Sequence, residues 1–500
     1  MPRMRKLMRP LILSVGLAVC PALATSQQPI PVTLSLADAI ALARQHNPAY
    51  RVTLNDRTPA GWGVRNAWSS LLLPNLTVSG GVAYAGPGEQ NFLTSSFSQG
   101  VSTWSSSYSF LLDWRLNGET LSQPGLTKAQ RDAADADVVG AANFLVTAVT
   151  QQYLTILQAR DNAELARQQL QHDEEFLKLA QARYDVGRTS LIDVRQAQVA
   201  RGTAEVALLR ARTAIQVEKL RLFQQIGVTA PVDVSTVQLT DTFPVQTPPW
   251  RLNELLTMAE EQNPALRALR ERERAAGWSV KAAASGWGPS LSLQAGWSGF
   301  TQKLSNVEPT IAAAHASAAA DSTTCEYANA AWFNTGSGQP PLNCSQYYFT
   351  PVMEQAIRDQ NNRYPLNFTP QPFQARLTIS LPLWTNFQQP LQVSQAKAQE
   401  QDLQESVRAR GLQVQTDVSQ AYLVLQTAFQ AIGIQDTGRT AAREQLQLAT
   451  ERYRVGSGTF FELLDAQVAG LRAATDYVNA VYDYHKAVAA LEAAVGQPLR

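Results

Sequence analysis

The residue types that most often carry chemistry stand alone in this sequence. None of its histidines belongs to the His-Glu-x-x-His spacing of a zinc-binding helix; they are His46, His172, His315 and His485. There is no Gly-Lys dipeptide for a phosphate-binding loop, no Gly-x-Ser-x-Gly nucleophile elbow and no cysteine cluster for a metal. We therefore predict neither an enzyme nor a cofactor or metal site.

Two carboxylates are close enough in sequence to act together. Glu462 and Asp465 are three residues apart at the start of a predicted helix, so their side chains share one helical face. Two carboxylates on one face concentrate negative potential and favour cations. The alternative is that both acids only complement the positive end of the helix dipole.

Composition excludes several classes of protein. The chain has 500 residues, 45% of them apolar, with 42 basic and 41 acidic side chains and a net charge of +1. This balance predicts a folded protein, and the lack of a basic tract argues against a nucleic-acid partner. A mean hydropathy of −0.18 excludes a polytopic helical membrane protein.

Residues 1–24 have the pattern of a secretory signal peptide. Four basic residues precede an apolar run over 11–19, and Ala22-Leu23-Ala24 is a small-x-small cleavage site. Cleavage after Ala24 is predicted. Lipid attachment at Cys20 is the open alternative, although the preceding Val19 does not suit lipid-modification sites. No later segment has about 18 unbroken apolar residues, so entry into a membrane would have to use strands.

The chain contains two copies of one pattern. The segment Leu36–Ala49 returns as Leu252–Ala265, and each ends in Asn-Pro-Ala. Further on, Arg183–Gly187 returns as Arg452–Gly456, each with an Arg-Tyr-x-Val-Gly sequence. Two different motifs in the same order indicate an internal repeat.

The offset between the copies grows from 216 to 269 residues. This predicts an insertion of 53 residues in the second copy, between Phe300 and Phe373. A proline-rich stretch joins the two copies. We predict a first repeat over 25–230, a linker over 231–250 and a second repeat over 251–500.

Alternation with a period of two predicts four strands. In each copy, two stretches of about ten residues alternate between apolar and small polar side chains, as in the strands of an outer-membrane barrel. They lie within about 75–113 and about 290–384, and the insertion, predicted over 301–370, separates the second pair. Strands of a soluble sandwich alternate equally well, so the pattern leaves both interpretations open.

The remaining sequence predicts long helices. Residues 127–184 contain no proline and would reach about 85 Å at the α-helical rise. Two helical hairpins are predicted, over 127–226 and 392–496. The second arm of the second hairpin carries mostly apolar residues at alternating spacings of four and three, which is typical of a coiled coil, and the matching stripe of the first hairpin is weaker and partly polar. An ordinary two-helix coiled coil is the alternative, but abundant alanine and glutamine beside the stripe favour packing on both flanks.

Together these motifs resemble the TolC-type outer-membrane efflux protein family, the outer membrane factors. The Asn-Pro-Ala opening, the strand pair and the Tyr-x-x-Gly turn occur twice in the same order after the signal peptide. The resemblance covers nearly all of the mature chain apart from the insertion. It implies an α+β membrane protein in which three chains, with four strands each, form one transmembrane β-barrel. The barrel would be continuous with a long periplasmic α-helical coiled-coil barrel.

The resemblance implies a passive exit duct of a tripartite efflux or type I secretion system. The duct would lie in the cell outer membrane, with its helical part in the periplasm. Its partners would be two further copies of the chain, a periplasmic adaptor protein, an inner-membrane transporter and outer-membrane lipid. Barrel geometry agrees with a trimer, since four strands cannot enclose a water-filled lumen.

Two other functions stay open at this point. One is a periplasmic adaptor, although adaptors have one helical hairpin and this sequence predicts two. The other is a structural coiled-coil protein of the envelope without a pore. The sequence identifies neither the exported substrate nor the particular adaptor and pump.

The resemblance also assigns roles to the two helix-to-helix turns. The glycine of each turn is predicted to take a left-handed conformation that ends the incoming helix. In the family these turns lie at the periplasmic tip and contact the adaptor. The contact role then falls on Val186, Gly187, Arg188, Thr189, Val455, Gly456, Ser457 and Gly458. Turn chemistry alone is the alternative.

The resemblance implies an acidic constriction beside the second turn. Glu462 and Asp465 would face the tunnel axis, and three copies would bring six carboxylates into one neck. Asp193 and Gln196 occupy the matching positions of the first copy, which is therefore half as acidic.

Tyr453 aligns with a tyrosine that in relatives hydrogen-bonds across helices and holds the aperture shut. Some relatives have a basic residue two places after the turn glycine, where this chain has Gly458. A closed state held by that charge is therefore not implied here.

The insertion holds two cysteines. Cys325 and Cys344 are nineteen residues apart, and in the family a segment between the third and fourth strands faces the outside of the cell. An exported pair at this spacing predicts a disulfide. Two free thiols or an exchangeable pair are the alternatives.

Overall fold

The computed structural model describes residues 33–92, 95–336, 338 and 340–499. The predicted signal peptide over 1–24, including Cys20, lies outside the described residues. Within the described ranges the chain is mostly helical, with a smaller amount of sheet. This agrees with the mixture of helix and strand that the sequence predicts.

The helices include two pairs of equal length. In chain order they are α1 (Leu36–His46), α2 (Pro48–Leu72), α3 (Gly118–Asp185), α4 (Leu191–Ile226), α5 (Leu252–Gln262), α6 (Pro264–Ala284), α7 (Glu308–Thr335), α8 (Pro351–Asn361), α9 (Gln388–Val455) and α10 (Phe460–Val495). Helices α3 and α9 each have 68 residues, and α4 and α10 each have 36. The two halves of the chain therefore build hairpins of the same dimensions.

The repeated Asn-Pro-Ala motif is a helix start. The Asn47 side chain accepts a hydrogen bond from Tyr50 N at 2.9 Å, and the Asn263 side chain accepts one from Ala265 N at 3.1 Å. Proline follows each asparagine at the first helical position, where its missing N–H costs nothing. The motif thus fixes where α2 and α6 begin.

The two longest helices begin earlier than the predicted residues 127 and 392. Asn117 Oδ1 accepts a hydrogen bond from Thr120 N at 2.8 Å and so caps α3. Pro390 lies in the first turn of α9, where the backbone N–H has no partner within the helix, so proline is tolerated there. Both predicted starts came just after a proline, Pro124 or Pro390, and in the structure each of these prolines lies within its helix.

One main sheet dominates the strands. In chain order the strands are β1 (Thr33–Leu34), β2 (Asn75–Ala85), β3 (Gly88–Phe92), β4 (Ser95–Gln99), β5 (Thr103–Leu116), β6 (Gln238–Leu239), β7 (Ser290–Leu304), β8 (Thr369–Pro370) and β9 (Gln374–Ser380). Strands β2, β5 and β7 are antiparallel neighbours, and β8 and β9 both pair with the far side of β7. Within the described chain, β2 and β9 are therefore edge strands.

The two faces of this sheet have different chemistry. Alternation along each strand and the pairing register put one set of side chains on each face. The apolar face, as we name it, carries Leu76, Val78, Val82, Tyr84, Trp104, Tyr108, Phe110, Leu112, Leu291, Leu293, Ala295, Trp297, Ala375, Leu377 and Ile379. The opposite face, named the polar face, carries mainly serine, threonine, glycine and glutamine. Much of the apolar face is exposed; Leu76 and Ile379, for example, are each 70% exposed.

The insertion is folded, and its bounds differ from the predicted 301–370. Strand β7 continues to Leu304, and the segment beyond it forms helices α7 and α8. Cys325 and Cys344 are joined by a disulfide, with their Cα atoms 5.7 Å apart. The bond ties α7 to the segment that follows it.

The end of the insertion covers part of the apolar face. The Ser106 hydroxyl donates a hydrogen bond to the Pro365 carbonyl, and the Phe368 ring packs edge-on against Tyr108 with centroids 4.9 Å apart. Ser106 and Thr301 are opposite each other in the register, and each is only 5% exposed. Two hydroxyl side chains therefore lie on the apolar face where protein covers it.

The chain divides into two compact units. One comprises residues 33–46 with Val149–Val245 and Thr437–Tyr482, and it contains both helix-to-helix turns. The other comprises Asn47–Ala148, Gln246–Asp436 and Asp483–Arg500, and it contains the main sheet and the insertion. The second unit has its own core, formed by α5, α9 and α10 around Leu255, Val418, Leu425, Leu491 and Val495.

Helix α3 contains a more apolar stretch than the sequence led us to expect. Eighteen consecutive residues of α3 have a mean hydropathy of 1.2, so by length and composition this helix could cross a membrane. One such window is weak evidence for a span, because a helix that packs on more than one side has the same composition.

Candidate functional site

Glycines with left-handed backbone end the first arm of each helical hairpin. The turn between α3 and α4 contains Gly187 with a φ of 72°, and the turn between α9 and α10 contains Gly456 with a φ of 86°. Gly187 N donates to the Tyr184 carbonyl at 2.8 Å, and Gly456 N donates to the Tyr453 carbonyl at 3.1 Å. Left-handed backbone strongly favours glycine, which explains why both copies have this residue there.

The side chains around both turns are accessible. Val186 is 69% exposed and Val455 is 75% exposed, and Arg188 and Ser457 are exposed as well. Thr189 and Gly458 are half-buried. Each predicted contact set therefore presents an apolar side chain to its surroundings, as a docking surface would.

Arg183 joins the two hairpins beside the turns. Its guanidinium carbon lies 4.7 Å from the centroid of the Tyr453 ring, and Nη1 donates a hydrogen bond to the Tyr453 carbonyl. Sequence reasoning missed this contact. The signal that could have found it is the Arg-Tyr pair that both copies share before the turn.

Tyr453 lies at the centre of a small core between the hairpins. It is 2% exposed, and its ring packs against Phe460 with centroids 5.8 Å apart. Ala180, Val194, Ala197 and Leu463 complete this core. Arg183 therefore contacts a tyrosine whose position is fixed by the packing of this core.

The hydroxyl of Tyr453 is buried and has no hydrogen-bond partner among the described residues. Burial raises the pKa of Tyr453. Asp193, on α4, accepts a hydrogen bond from the Thr189 hydroxyl. Within this chain, the ring and the carbonyl of Tyr453 make its cross-helix contacts, whereas the resemblance had implied a role for its hydroxyl.

Glu462 and Asp465 are exposed on the first turns of α10. Thr459 Oγ1 accepts a hydrogen bond from Glu462 N at 3.2 Å and so caps the helix. Leu463 and Gln467, on the other side of α10, are 0% and 3% exposed. The two acids therefore point away from the core of their own chain.

Among the described residues, one weak ion pair reaches these acids. An Arg452 nitrogen lies 3.8 Å from the Glu462 carboxylate, a weak pair between exposed side chains. At the matching positions of the first hairpin, Asp193 is half-buried and Gln196 is exposed. The structure thus places two exposed carboxylates on the second hairpin and one partly covered carboxylate on the first.

An apolar groove of about 890 Å³ lies between α3, α4 and α10 in the same unit. Its exposed lining includes Ile192, Val199, Phe461 and Val468. Asp173 also lines it, is 5% exposed and accepts a hydrogen bond from Gln169 Nε2 at 3.0 Å. Burial raises the pKa of Asp173. A carboxylate is therefore held in an apolar setting by one amide of its own helix.

Replacing Asp173 by asparagine is expected to stabilise the protein at neutral pH. Because the folded-state pKa is raised, the stability that the protonated carboxyl provides is complete below the unfolded pKa and is lost as the pH rises through the folded pKa. Thermal unfolding should give D173N the higher midpoint at about pH 7 and equal midpoints at about pH 3.

The matched control is Glu175→Gln, an exposed acid two residues further along α3. Its midpoint should follow that of the parent at both pH values. A D173N midpoint that stays level with the parent at neutral pH would contradict the assigned cost of burying this carboxylate.

Sequence comparison relates the chain to known proteins. A model of the family described as outer membrane efflux protein matches residues 40–228 and 361–497. The chain is also similar to the outer membrane efflux protein BepC of Brucella suis, with 30% identity over 153 residues. That match covers 31% of this chain and 32% of BepC, so it spans about a third of the relative's length.

Structural comparison extends the likeness to almost the whole chain. The outer membrane protein VceC of Vibrio cholerae has a TM-score of 0.66 at 18% identity, with 93% of this chain and 97% of VceC covered. The MtrE outer membrane channel of Neisseria gonorrhoeae, in its open state, has a TM-score of 0.64 at 18% identity, with 93% and 89% covered. At these identities the likeness establishes a shared fold.

Proposed function

The chain belongs to the outer membrane efflux protein family, and on this premise we propose that it is a passive exit duct in the outer membrane. The duct serves a tripartite efflux or type I secretion system, with its helical part in the periplasm. One observation carries the proposal, namely a sheet with an exposed apolar face, a polar face and two unpaired edges. A sheet with these two faces has the side-chain pattern of a barrel wall around an aqueous pore in lipid. It forms a barrel when its two edges are paired.

Three copies of the chain close the barrel. The sheet has too few strands to enclose a lumen by itself, because barrels of about eight strands are already filled by side chains. Lipid cannot hydrogen-bond the open edges of β2 and β9, so each edge pairs with the next copy. Each copy contributes four strands at the level of β9, and the apolar face meets lipid.

The two repeats contribute equivalent parts to this assembly. We assign the mature chain to a first repeat over 25–230, a linker over 231–250 and a second repeat over 251–500, after a signal peptide over 1–24. The equal lengths of α3 and α9, and of α4 and α10, support this assignment. The insertion between β7 and β9 faces outside the cell.

The helix-to-helix turns receive a periplasmic adaptor, which links the duct to an inner-membrane transporter that supplies energy. The exposed Val186 and Val455 support this role, because a helical hairpin of a partner needs apolar contacts at such tips. The carboxylates of Glu462 and Asp465 line the aperture beside them and favour cations there.

We expect the protein purified in detergent to be a trimer and to form channels in a planar lipid bilayer. The trimer follows from the missing strands, and the channels follow from the polar face. Light scattering with correction for detergent measures the first, and single-channel recording measures the second.

An adaptor or a pore-free coiled-coil protein would give no conductance steps in this recording. A monomer in detergent that is silent in lipid would therefore rule out the duct. Protein denatured before reconstitution serves as the control for leaks that detergent alone produces.

A further inference from the structure

The polar face of the sheet carries charge in one place only. Among the described residues of β2, β5, β7 and β9, its charged side chains are Asp113, Arg115 and Arg376. The remaining charged residue of these strands, Lys303, is paired with Trp104 and so lies on the apolar face. Charge on the polar face is therefore concentrated while the rest of the wall is neutral.

The pairing register brings these charges to one level. Asp113 is opposite Gln294, and Gln294 is opposite Arg376, so the three form one row across adjacent strands. Gln294 Nε2 donates a hydrogen bond to Asp113 Oδ2 at 3.2 Å. In the next row, Arg115 is opposite Ser292. With strands about 4.8 Å apart, Asp113 and Arg376 lie within about 10 Å of each other.

The two arginines are available to a ligand. Both are exposed, and within the described part of the chain neither forms an ion pair. Asp113 is half-buried and is engaged by Gln294. Each chain therefore has a net charge of +1 at this level, carried by guanidinium groups.

A recess adjoins this level. Pro370 is paired with Gly299, and Gln374 is paired with Gly296, so three residues of the returning segment face two of β7. Gln371 N still donates to the Ser298 carbonyl at 2.7 Å, and the bulge lies at Pro372 and Phe373. The space left is about 720 Å³, and its polar lining includes Ser109, Gln294, Ser298, Gln374 and Arg376. Such a space can hold a small organic anion beside the guanidinium group.

We propose that Arg115 and Arg376 form a basic belt in the duct, which binds small anions such as carboxylates and phosphates as they leave. This inference rests on the proposed function, since only a closed barrel turns the polar face into a lumen. Three copies repeat the belt around the wall, at the end of the strands that joins the helices α2, α3 and α9. In the duct, the carboxylates at the aperture then attract cations, and the arginines of the belt attract anions.

Salt determines how far the belt acts. The screening length is about 30 Å at 0.01 M salt and about 3 Å at 1 M. At low salt the guanidinium groups influence much of the lumen, whereas at high salt they influence only ions in contact with the wall. A selectivity that depends on salt in this way distinguishes the belt from a change in pore width.

The test compares Arg376→Gln with Lys303→Gln in planar bilayers. Both remove one positive charge per chain, the first from the polar face and the second from the apolar face. We expect R376Q to raise the potassium-to-chloride permeability ratio about twofold in a gradient near 0.01 M potassium chloride, and to have no effect near 1 M. K303Q should leave the ratio at its parental value, and Arg376→Lys should restore it.

Equal ratios for R376Q and K303Q at low salt would overturn the belt. If the parent protein conducts while R376Q leaves the ratio unchanged, the belt fails and the duct stands. If the parent protein does not conduct at all, the proposed function itself fails. Circular dichroism and trimer content of each variant confirm that the sheet has formed.

Discussion

In the proposed duct, replacing Arg183 by alanine is expected to widen the aperture beside the turns and to raise the mean single-channel conductance several-fold. The side chain holds α9 against α3 through the Tyr453 ring at 4.7 Å and through the Tyr453 carbonyl. A cation–π contact contributes about 0.5–2 kcal/mol, and a charged donor adds about 1.5–3 kcal/mol. Because Arg183 is partly exposed, we take the low end, about 2 kcal/mol per chain. That is more than tenfold in an equilibrium constant.

Two variants show whether the Arg183 side chain or the Tyr453 hydroxyl holds the aperture. Tyr453→Phe keeps both the ring and the carbonyl and removes only a hydroxyl without a partner in the described chain, so its conductance should match the parent. Arg183→Lys keeps the charge but loses the planar group, so its conductance should be intermediate. If Y453F opens the channel as far as R183A, a hydroxyl bond between copies holds the aperture instead. Thermal unfolding of each variant tests for global destabilisation.

Neutralising the aperture acids together, with Glu462→Gln and Asp465→Asn, is expected to abolish the preference for cations. Both side chains are exposed on the face of α10 opposite the buried Leu463. In a trimer the double variant removes six negative charges from one neck. We expect the potassium-to-chloride permeability ratio to fall at least about fivefold at 0.1 M salt, with the difference fading near 1 M.

The matched control is Asp402→Asn with Glu405→Gln. These acids are also three residues apart and exposed, but they lie on α9 far in sequence from the turn. Their removal changes the net charge equally and should leave the permeability ratio within about 20% of the parent. An equal effect of both double variants would show that net charge, and not the aperture, sets ion selectivity.

The sequence was enough to predict those elements whose conformation depends on residues close to them in the chain. A period of two marked the strands β2 and β5, because each alternates between the two faces of one sheet. The glycines at 187 and 456 indicated left-handed turns, since few other residues adopt such a φ. The spacing of Glu462 and Asp465 predicted their shared face in the same way.

The helix α7 was missed for a physical reason. Its sequence is rich in alanine and has no apolar stripe with a helical period, so it lacks the signal of a surface helix. The disulfide from Cys325 and the packing at the base of the insertion stabilise this segment, and neither depends on a periodic sequence pattern. The periodicity therefore predicted no helix within the insertion.

The contacts missed at the candidate sites depend on pairing between distant segments. Arg183 and Tyr453 are in different repeats, and only the packing of one hairpin on the other brings them together. Asp113 and Arg376 share a level only because both strands pair with β7 in a particular register. A single sequence carries no record of either arrangement.

Substitutions in the insertion and in the part of the apolar face that it covers are expected to depend on each other. In the proposed barrel, Ser106 is tolerated on the lipid-facing side because the Pro365 carbonyl accepts its hydrogen bond, and Thr301 opposite it is buried as well. A descendant that lost the insertion would present both hydroxyl groups to acyl chains, and selection would then favour valine or leucine in their place.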